Sequence, residues 1–560
     1  MYFNIYTCSQ NEHNLGGFDM KKLLSVLMAG TMALSLAACG SSSGGDNTFT
    51  FASELDIKNL DSCDADDGTS FNAMHAVIDG LMGVDEDGNV TNAIAEEHTV
   101  SDDGLTHTFK LRDAKWSNGE PVTAQDFVYA WQRIIKNVGN YAYMMGSDGA
   151  HITGADELIA KTNNGEELTQ EDLDTLGAKA EDDQTLVVTL TSPVSYFEEL
   201  MTFPCYYPIN EEFAEVQGSG YAKSADAILS NGAFVMESWT PGSTATFVKN
   251  EDYWNADQVK LDKLVMNLVQ EPTVAAQNFD SGNNDFAPIN SDLVDQYKDD
   301  DSFITFKEGF LFYIQPNFQN TDLQNLNLRK ALSLAIDRED FATNVLKDGS
   351  IEANGFVPED LSIGPNGQDF RDDAKDFTTY DVEAAQTALN QALQELGKSE
   401  ITLKLMYGTD ESPMDTMATY LQNAFTKLDG LNIEMVATTK QDRIYNKQAN
   451  GEFDLSCTRW GPDYGDATTY LNLMKSDNVN NYGKWVNADY DALMNQISTE
   501  SNVETRWNLM LQAEELAMNE YVNIPVFQKG TSALENTSVK GLVFRPVGVP
   551  YTFNYVSKEA

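Results

Sequence analysis

Histidine and cysteine, the residues on which most metal and nucleophile chemistry depends, are scarce in this chain: five of each occur in 560 residues. The histidines, at 13, 75, 98, 107 and 151, form no ligand cluster, which argues against a nickel or haem centre. The cysteines, at 8, 39, 63, 205 and 457, show neither a disulfide framework nor a metal-ligand spacing. No HExxH occurs, and carboxylate pairs are too abundant to be diagnostic, so nothing points to a hydrolase. Positive charge is also short: 36 Lys and Arg stand against 87 Asp and Glu, for a formal net charge of -51. Such a field repels nucleic acid and anionic membrane surfaces and concentrates cations, and it also keeps a secreted protein soluble. No repeat or low-complexity tract interrupts the chain.

What is present is enough for a large folded body. The 560 residues exceed one compact core, and 42% hydrophobic with 10% aromatic residues supply ample apolar surface, so two or three lobes are expected. The first 19 residues lack a structural pattern and read as a non-native extension ahead of Met20. Lys21 and Lys22 then precede an apolar run at 23–36, the charged and apolar regions of a secretory signal, too short for a comfortable membrane span. The run ends in Leu36, Ala37, Ala38, Cys39, which resembles the lipobox of bacterial lipoproteins. That resemblance implies a signal peptide at 20–38, Cys39 as a lipidated mature N-terminus, and anchoring to the outer face of the cytoplasmic membrane. With Cys8 removed and Cys39 modified, three cysteines remain, an odd number, and no essential disulfide is expected. Residues 39–47 form a Gly/Ser-rich tether. Its GxSxG match at Gly40, Ser42 and Gly44 has no strand before it and no helix after it, and is spurious.

Strands are expected at 48–52, 106–112 and 185–190, and two more flank the Pro241-Gly242 turn. Asp61, Asp64, Asp66 and Asp67 lack the spacing of a calcium loop. Thr123 should cap a helix burying Phe127, Trp131 and Ile134, with Val128 and Ile135 beside them. Leu328, Ala331, Leu332, Ala335 and Ile336 make a buried helical stripe, leaving Arg329, Arg338 and Glu339 for the surface or for local pairing. Asp381 begins another helix, through Leu396. Strands at 401–407, 433–436 and 453–457 then alternate with a helix at 414–428, and helices follow at 490–497 and 506–518. Alternation of this kind argues for a mixed α/β lobe.

Three blocks carry a resemblance: LRDAKWSNGEPVTAQDFVYAWQRI at 111–134, NGAFVMESWTPGSTATFVKNEDYW at 231–254 and NLRKALSLAIDRE at 327–339. Together, and in this order, they resemble the solute-binding lipoproteins of oligopeptide and dipeptide ABC importers, extracellular solute-binding protein family 5. The resemblance runs from about residue 48 to the C-terminus. It implies an α/β, two-lobed, hinge-closing periplasmic-binding-protein-like fold of type II with an additional third lobe. Lobe I is placed at 47–79, 206–312 and 531–560, lobe II at 80–205, and lobe III at 313–530. The implied function is not enzymatic: a monomer captures oligopeptides between closing lobes and hands them to an ABC permease with its ATPase subunits. No cofactor, metal or nucleic acid is implied. Alternatives are the same role with a dipeptide, sugar, nickel complex or haem as cargo, or a surface hydrolase.

The stretch at 453–466, FDLSCTRWGPDYGD, is a strand followed by a loop rich in carboxylates and chain-bending residues. Such loops at strand ends bind ligands in open α/β sheets, though on its own residues this one reads first as an ordinary acidic surface turn. By the resemblance, Asp463 takes the peptide α-amino group, Gly461 leaves its backbone open to the peptide, Trp460 offers a flat wall, and Tyr464 joins the site. Asp67, Gly68 and Thr69, used mainly through their main chain, and Tyr141 form the opposing rim. Asp466 is expected to be a helix cap or surface group. Pro462 removes one backbone donor from the loop. Some peptide binders carry an arginine at the place of Cys457; its absence leaves Arg443 and Arg459 as possible partners of the ligand carboxylate or as simple surface charges, Arg459 being expected to point the other way.

Overall fold

The computed structural model describes residues 47–559. The expected extension, signal peptide, lipidated Cys39 and tether up to residue 46 lie outside the described residues. Among the described residues the main sheet has eleven strands: a short one, Ile351–Glu352, pairs on the strand Ile524–Glu535 off the main path, and the other ten are labelled along the chain as β1 (Thr48–Ser53), β2 (Phe234–Thr240), β3 (Thr244–Lys249), β4 (Lys263–Leu268), β5 (Phe286–Ile289), β6 (Phe303–Pro316), β7 (Ile401–Gly408), β8 (Leu431–Thr438), β9 (Leu455–Trp460) and β10 (Ile524–Glu535). Their order across the sheet is β8-β7-β9-β6-β10-β5-β1-β4-β3-β2. β7 pairs in parallel with β8 and β9, as does β1 with β4 and β5, while β6 and β10 run antiparallel to their neighbours. A separate four-stranded antiparallel sheet, containing Thr106–Leu111 and Thr185–Thr189, lies within residues 95–189.

The longest strands, β6 and β10, were not expected from the sequence, and they run from one half of the sheet to the other. The expected lobe borders at 312/313 and 530/531 fall inside them. The β6–β10 register is interrupted: Lys307 stands opposite Gly530 and Leu311 opposite Gln528, so Glu308, Gly309 and Phe310 face Lys529 alone. This is a wide irregularity of the bulge kind in the middle of the two long strands.

Side-chain alternation along β6 explains how one strand serves two cores. Phe312 and Ile314 point into a core built with the helices Leu326–Leu334, Val382–Leu396 and Met414–Phe425. Leu311 and Tyr313 point the opposite way, into a core with the helices Ala488–Ile497 and Val503–Asn519. A third and largest core joins β1–β4 to residues 57–261. There the helix Ala124–Lys136 begins with a capping box between Thr123 and Asp126 and buries Phe127, Val128, Trp131, Ile134 and Ile135. Trp131 is a core residue whose indole N–H donates to the Tyr206 carbonyl at 3.0 Å.

In the stripe at 327–339 the surface reading of two arginines fails, while the local-pairing reading holds in part. The apolar residues are buried as expected, but Arg329 and Arg338 are buried too, at 2% and 3% exposure, rather than on the surface. Arg329 donates to the carbonyls of Glu520 and Leu323, and Arg338 to those of Pro525, Ser333 and Ile336. The two guanidiniums satisfy carbonyls at helix and strand ends, which water would otherwise have to solvate. Cys63, Cys205 and Cys457 are buried and unbridged.

Candidate functional site

β9 positions the site. Cys457 lies in the core on the same face of the strand as Arg459, because two residues along a strand restore the direction of the side chain. The expectation that Arg459 points away from the face of Cys457 is therefore wrong. Its guanidinium stands over the Phe310 ring, 4.6 Å from the centroid. Beyond Trp460 the chain leaves the sheet, and the loop closes into one helical turn, Thr468–Leu471. The loop is held from inside: Tyr470 donates its hydroxyl to the Trp460 carbonyl at 3.0 Å, and Asp463 donates its backbone N–H to Thr469 Oγ1 at 3.1 Å. Gly461 must be glycine because the Phe310 ring occupies the space a Cβ would need.

The loop forms one wall of a cavity of about 950 Å³. Trp460, Gly461, Pro462 and Asp463 line it from the loop, Gly68 and Thr69 from the start of the helix Gly68–Val77, and Tyr141 from the segment that contains the four-stranded sheet. The floor includes Glu308, Gly309 and Phe310, the irregular stretch of β6. Six of the eight expected ligand residues thus meet around one space.

The other two do not. Asp67 stands outside the cavity lining, and its carboxylate caps the helix Gly68–Val77, accepting from the Ser70 backbone N–H at 2.9 Å and the Ser70 hydroxyl at 2.8 Å; this leaves the expected use of its main chain untouched. Tyr464 is 3% exposed and stacks on Tyr196 at 4.4 Å, nearly coplanar, outside the cavity lining. Asp466, expected as a cap or surface group, does cap locally, accepting from the Thr468 N–H at 3.0 Å, but it is buried in a two-pronged ion pair with Arg506 at 2.6 and 2.9 Å. Burial alone would raise its carboxyl; the Arg506 charge and the hydrogen bonds outweigh this and hold it below the usual range.

Asp463 is the opposite case. Among the described residues its carboxyl has no basic partner; it lies in the cavity wall, and burial pushes it up to about 7 against a hydrogen bond from the Tyr143 hydroxyl, with Asp148 adding to the rise. The same burial, with the Asp463 charge beside them, raises the Tyr141 and Tyr143 hydroxyls. A carboxyl raised by burial, with the two phenols beside it, is a receptor for a cation with N–H donors. The sequence reading missed Tyr143, although its place two residues after Tyr141 in the YAY triplet was a visible signal.

At another part of the wall lie Glu411, Arg443 and Arg459. Arg443, expected at the surface or at a ligand carboxylate, is 1% exposed and fully engaged. It donates to Glu411 Oε2 at 2.7 and 3.2 Å, to Gln448 at 2.9 Å and to Thr458 at 2.7 Å.

Comparison with known proteins places this geometry. The family description Bacterial extracellular solute-binding proteins, family 5, matches residues 89–482. The chain belongs to that family. Its relatives include the Dipeptide-binding protein of Lactococcus lactis subsp. cremoris, 32% identical over 95% of this chain and 98% of the relative. The Oligopeptide-binding protein OppA of Bacillus subtilis is 30% identical over 88% of this chain and 89% of its own. Among solved structures, OppA of Listeria monocytogenes bound to peptide superposes with a TM-score of 0.73 at 32% identity, covering 92% of this chain and all of that one. The mixed α/β, two-lobed binding-protein fold is that of this family. Family 5 proteins are extracellular binding proteins, and among the described residues no helix is long and apolar enough to cross a membrane.

Proposed function

We propose that this protein captures oligopeptides in the 950 Å³ cavity and delivers them to an ABC permease with its ATPase subunits. The single observation that carries the peptide reading is Asp463: a carboxyl in the cavity wall, lacking a basic partner and pushed up to about 7 by burial, beside Tyr141 and Tyr143. A peptide α-ammonium supplies the missing counter-charge and three N–H donors. The names of the relatives, a dipeptide-binding protein, an oligopeptide-binding protein and a peptide-bound structure, support the same cargo. Trp460 and Gly461 flank the ligand on one side, and Gly68, Thr69 and Tyr141 on the other.

In this reading, lobe I comprises 47–79, 206–312 and 531–560, lobe II 80–205 and lobe III 313–530. Closure of the lobes on the ligand is the signal the permease reads. The body is a monomer tethered outside the cytoplasmic membrane through lipidated Cys39, as the run Leu36, Ala37, Ala38, Cys39 supports. It binds its ligand without cleaving it.

Native mass spectrometry of gently purified, lipid-free protein, followed by incubation with a peptide mixture, tests this. Retained masses equal to intact peptides are expected. A co-purified sugar or metal complex would replace the cargo, and cleavage of the added peptides would overturn the binding role.

A further inference from the structure

A second cavity, of about 410 Å³, shares no lining residue with the peptide cavity. It opens between the last turn of the helix Gly68–Val77, the hairpin of Met82–Val84 with Val90–Asn92, and the Tyr253-Trp254 pair. Its charge is one-sided: Asp79, Asp85, Glu86 and Asp87 line it, and among the described residues no Lys or Arg does. Two arginines act on it from outside the lining, and both are engaged. Arg112 stacks on the Trp254 ring at 3.6 Å and donates to the Ala95 carbonyl at 3.1 Å, and Arg545 is paired with Glu199. The Tyr555 hydroxyl, bonded to the Val84 carbonyl at 2.6 Å, is pushed up to about 12 by burial together with the charges of Asp79, Asp85 and Glu86, so these carboxylates surround one space.

Carboxylates alone would make a solvated surface, but two buried and unspent polar groups stand on the same wall. His75 is 7% exposed, and burial with the charge of Arg545 holds its ring down at about 4, so the imidazole is neutral. Its Nδ1 is bonded to the Tyr207 hydroxyl at 3.0 Å, and Tyr207 does not line the cavity; the opposite edge of the ring, with Nε2, has no partner among the described residues. Asn554 Oδ1 is likewise buried without a partner. Asp79, 4% exposed, accepts from the Tyr253 hydroxyl at 2.7 Å and the Trp254 indole N–H at 3.0 Å. Both bonds fall on Oδ2, which leaves Oδ1 for a ligand. A neutral imidazole that donates from Nδ1 offers a lone pair at Nε2, so all three free atoms can accept.

We propose that this cavity is a second site, for a small aliphatic amine whose ammonium group is held by Asp79 Oδ1, His75 Nε2 and Asn554 Oδ1. Three acceptors match the three N–H donors of an ammonium group, and the exposed Glu86 and Asp87 supply further counter-charge at the mouth. The volume is within the range of small-molecule pockets. A metal ion fits less well, since among the described residues no group of three or more His, Cys, Asp or Glu side chains converges to hold one. The site stands apart from the peptide reading and does not depend on it.

Calorimetric titration of 1,4-diaminobutane into Asp463→Asn, at fixed ionic strength, tests the proposal, because that variant lacks the amine receptor of the peptide cavity. Saturable binding is expected, and 1,4-butanediol, of the same length without charge, should not bind. Adding Asp79→Asn should weaken the amine about 10- to 100-fold, the worth of a charge-assisted hydrogen bond. Adding Asn554→Ala, which removes an oxygen with no partner in the fold, should weaken it about 2- to 10-fold while the thermal midpoint without amine stays unchanged. Should Asp79→Asn fail to fold, Asn554→Ala and Glu86→Gln decide, the latter by a loss of up to about 5-fold. Absence of saturable binding, or equal binding of the diol, overturns the proposal. Amine affinity unchanged by every one of these cavity substitutions also overturns it, since the amine then lies elsewhere.

Discussion

Acidification should release a free-amino peptide from this protein, by an amount that follows from the carboxyl of Asp463. Burial raises that carboxyl to about 7, so its ionised form, the one that pairs with an ammonium, is half populated near neutrality and scarce below it. Binding below that value requires the carboxyl to give up its proton, and the apparent affinity falls with the competent fraction. The ligand amine titrates at about 7.7–8.0, so at about pH 7.5 both partners are charged together about half the time. At about pH 5.5 the amine is fully charged but the carboxylate is ionised only about 3% of the time, and affinity should fall about 20-fold. The sign is that of a carboxyl raised in the free protein: binding pulls it down and releases a proton. Isothermal titration at both pH values, in two buffers of different ionisation enthalpy, measures the affinity change and the proton count together. Asp463→Asn should bind weakly and lose the acid limb, and an N-acetylated peptide should lack it on the parent protein. A free-amino peptide bound equally well at both pH values, with no proton released, would refute the role of Asp463.

Three further outcomes test the supports of the site. Arg506→Met should strand the Asp466 carboxylate in a buried site and destabilise the fold by about 3–5 kcal/mol, read by chemical denaturation. Asp466 is held below its ordinary value, so in the parent its share of stability is present above the ordinary carboxylate range and is lost as pH falls through its lowered value. Gly461→Ala places a methyl group where the Phe310 ring lies and should cost about 1–3 kcal/mol together with peptide affinity, seen in paired denaturation and titration. A bound peptide at about 100 times its Kd should stabilise the folded protein by about 2.7 kcal/mol and raise the thermal midpoint in a scanning experiment.

Local signals carried most of the fold and about half of the site. Thr123 with Asp126, and Asp381, mark helix starts by side-chain chemistry that acts within four residues, and both helices form there. β6 and β10 escaped because their pattern is mixed. β6 buries both faces at Leu311–Ile314 but neither at Lys307–Glu308, so no single period runs through FITFKEGFLFYIQP. Arg329 and Arg338 find local carbonyls at Leu323, Ser333 and Ile336, but they also bond to Glu520 and Pro525, 191 and 187 residues away in sequence, which no spacing records. At the site, Asp463, Gly461 and Tyr141 were reachable through the family blocks. The engagement of Arg443 with Glu411 and the stacking of Tyr464 on Tyr196 depend on which side chains meet across the fold, and no spacing records that.

The interruption in the β6–β10 ladder bears on the energetics of opening. Twisting one half of a continuous sheet against the other normally breaks ladder hydrogen bonds, each an exposed or unpaired amide to account for. Here Glu308–Phe310 already stand outside the regular pairing, beside Gly530, and the Glu308 carbonyl is satisfied by the side chain of Gln528 at 2.9 Å. A rotation centred there spends little that the sheet has not given up in folding. The same three residues line the cavity, so a ligand lying there touches the one stretch of the two long strands whose regular pairing is already interrupted.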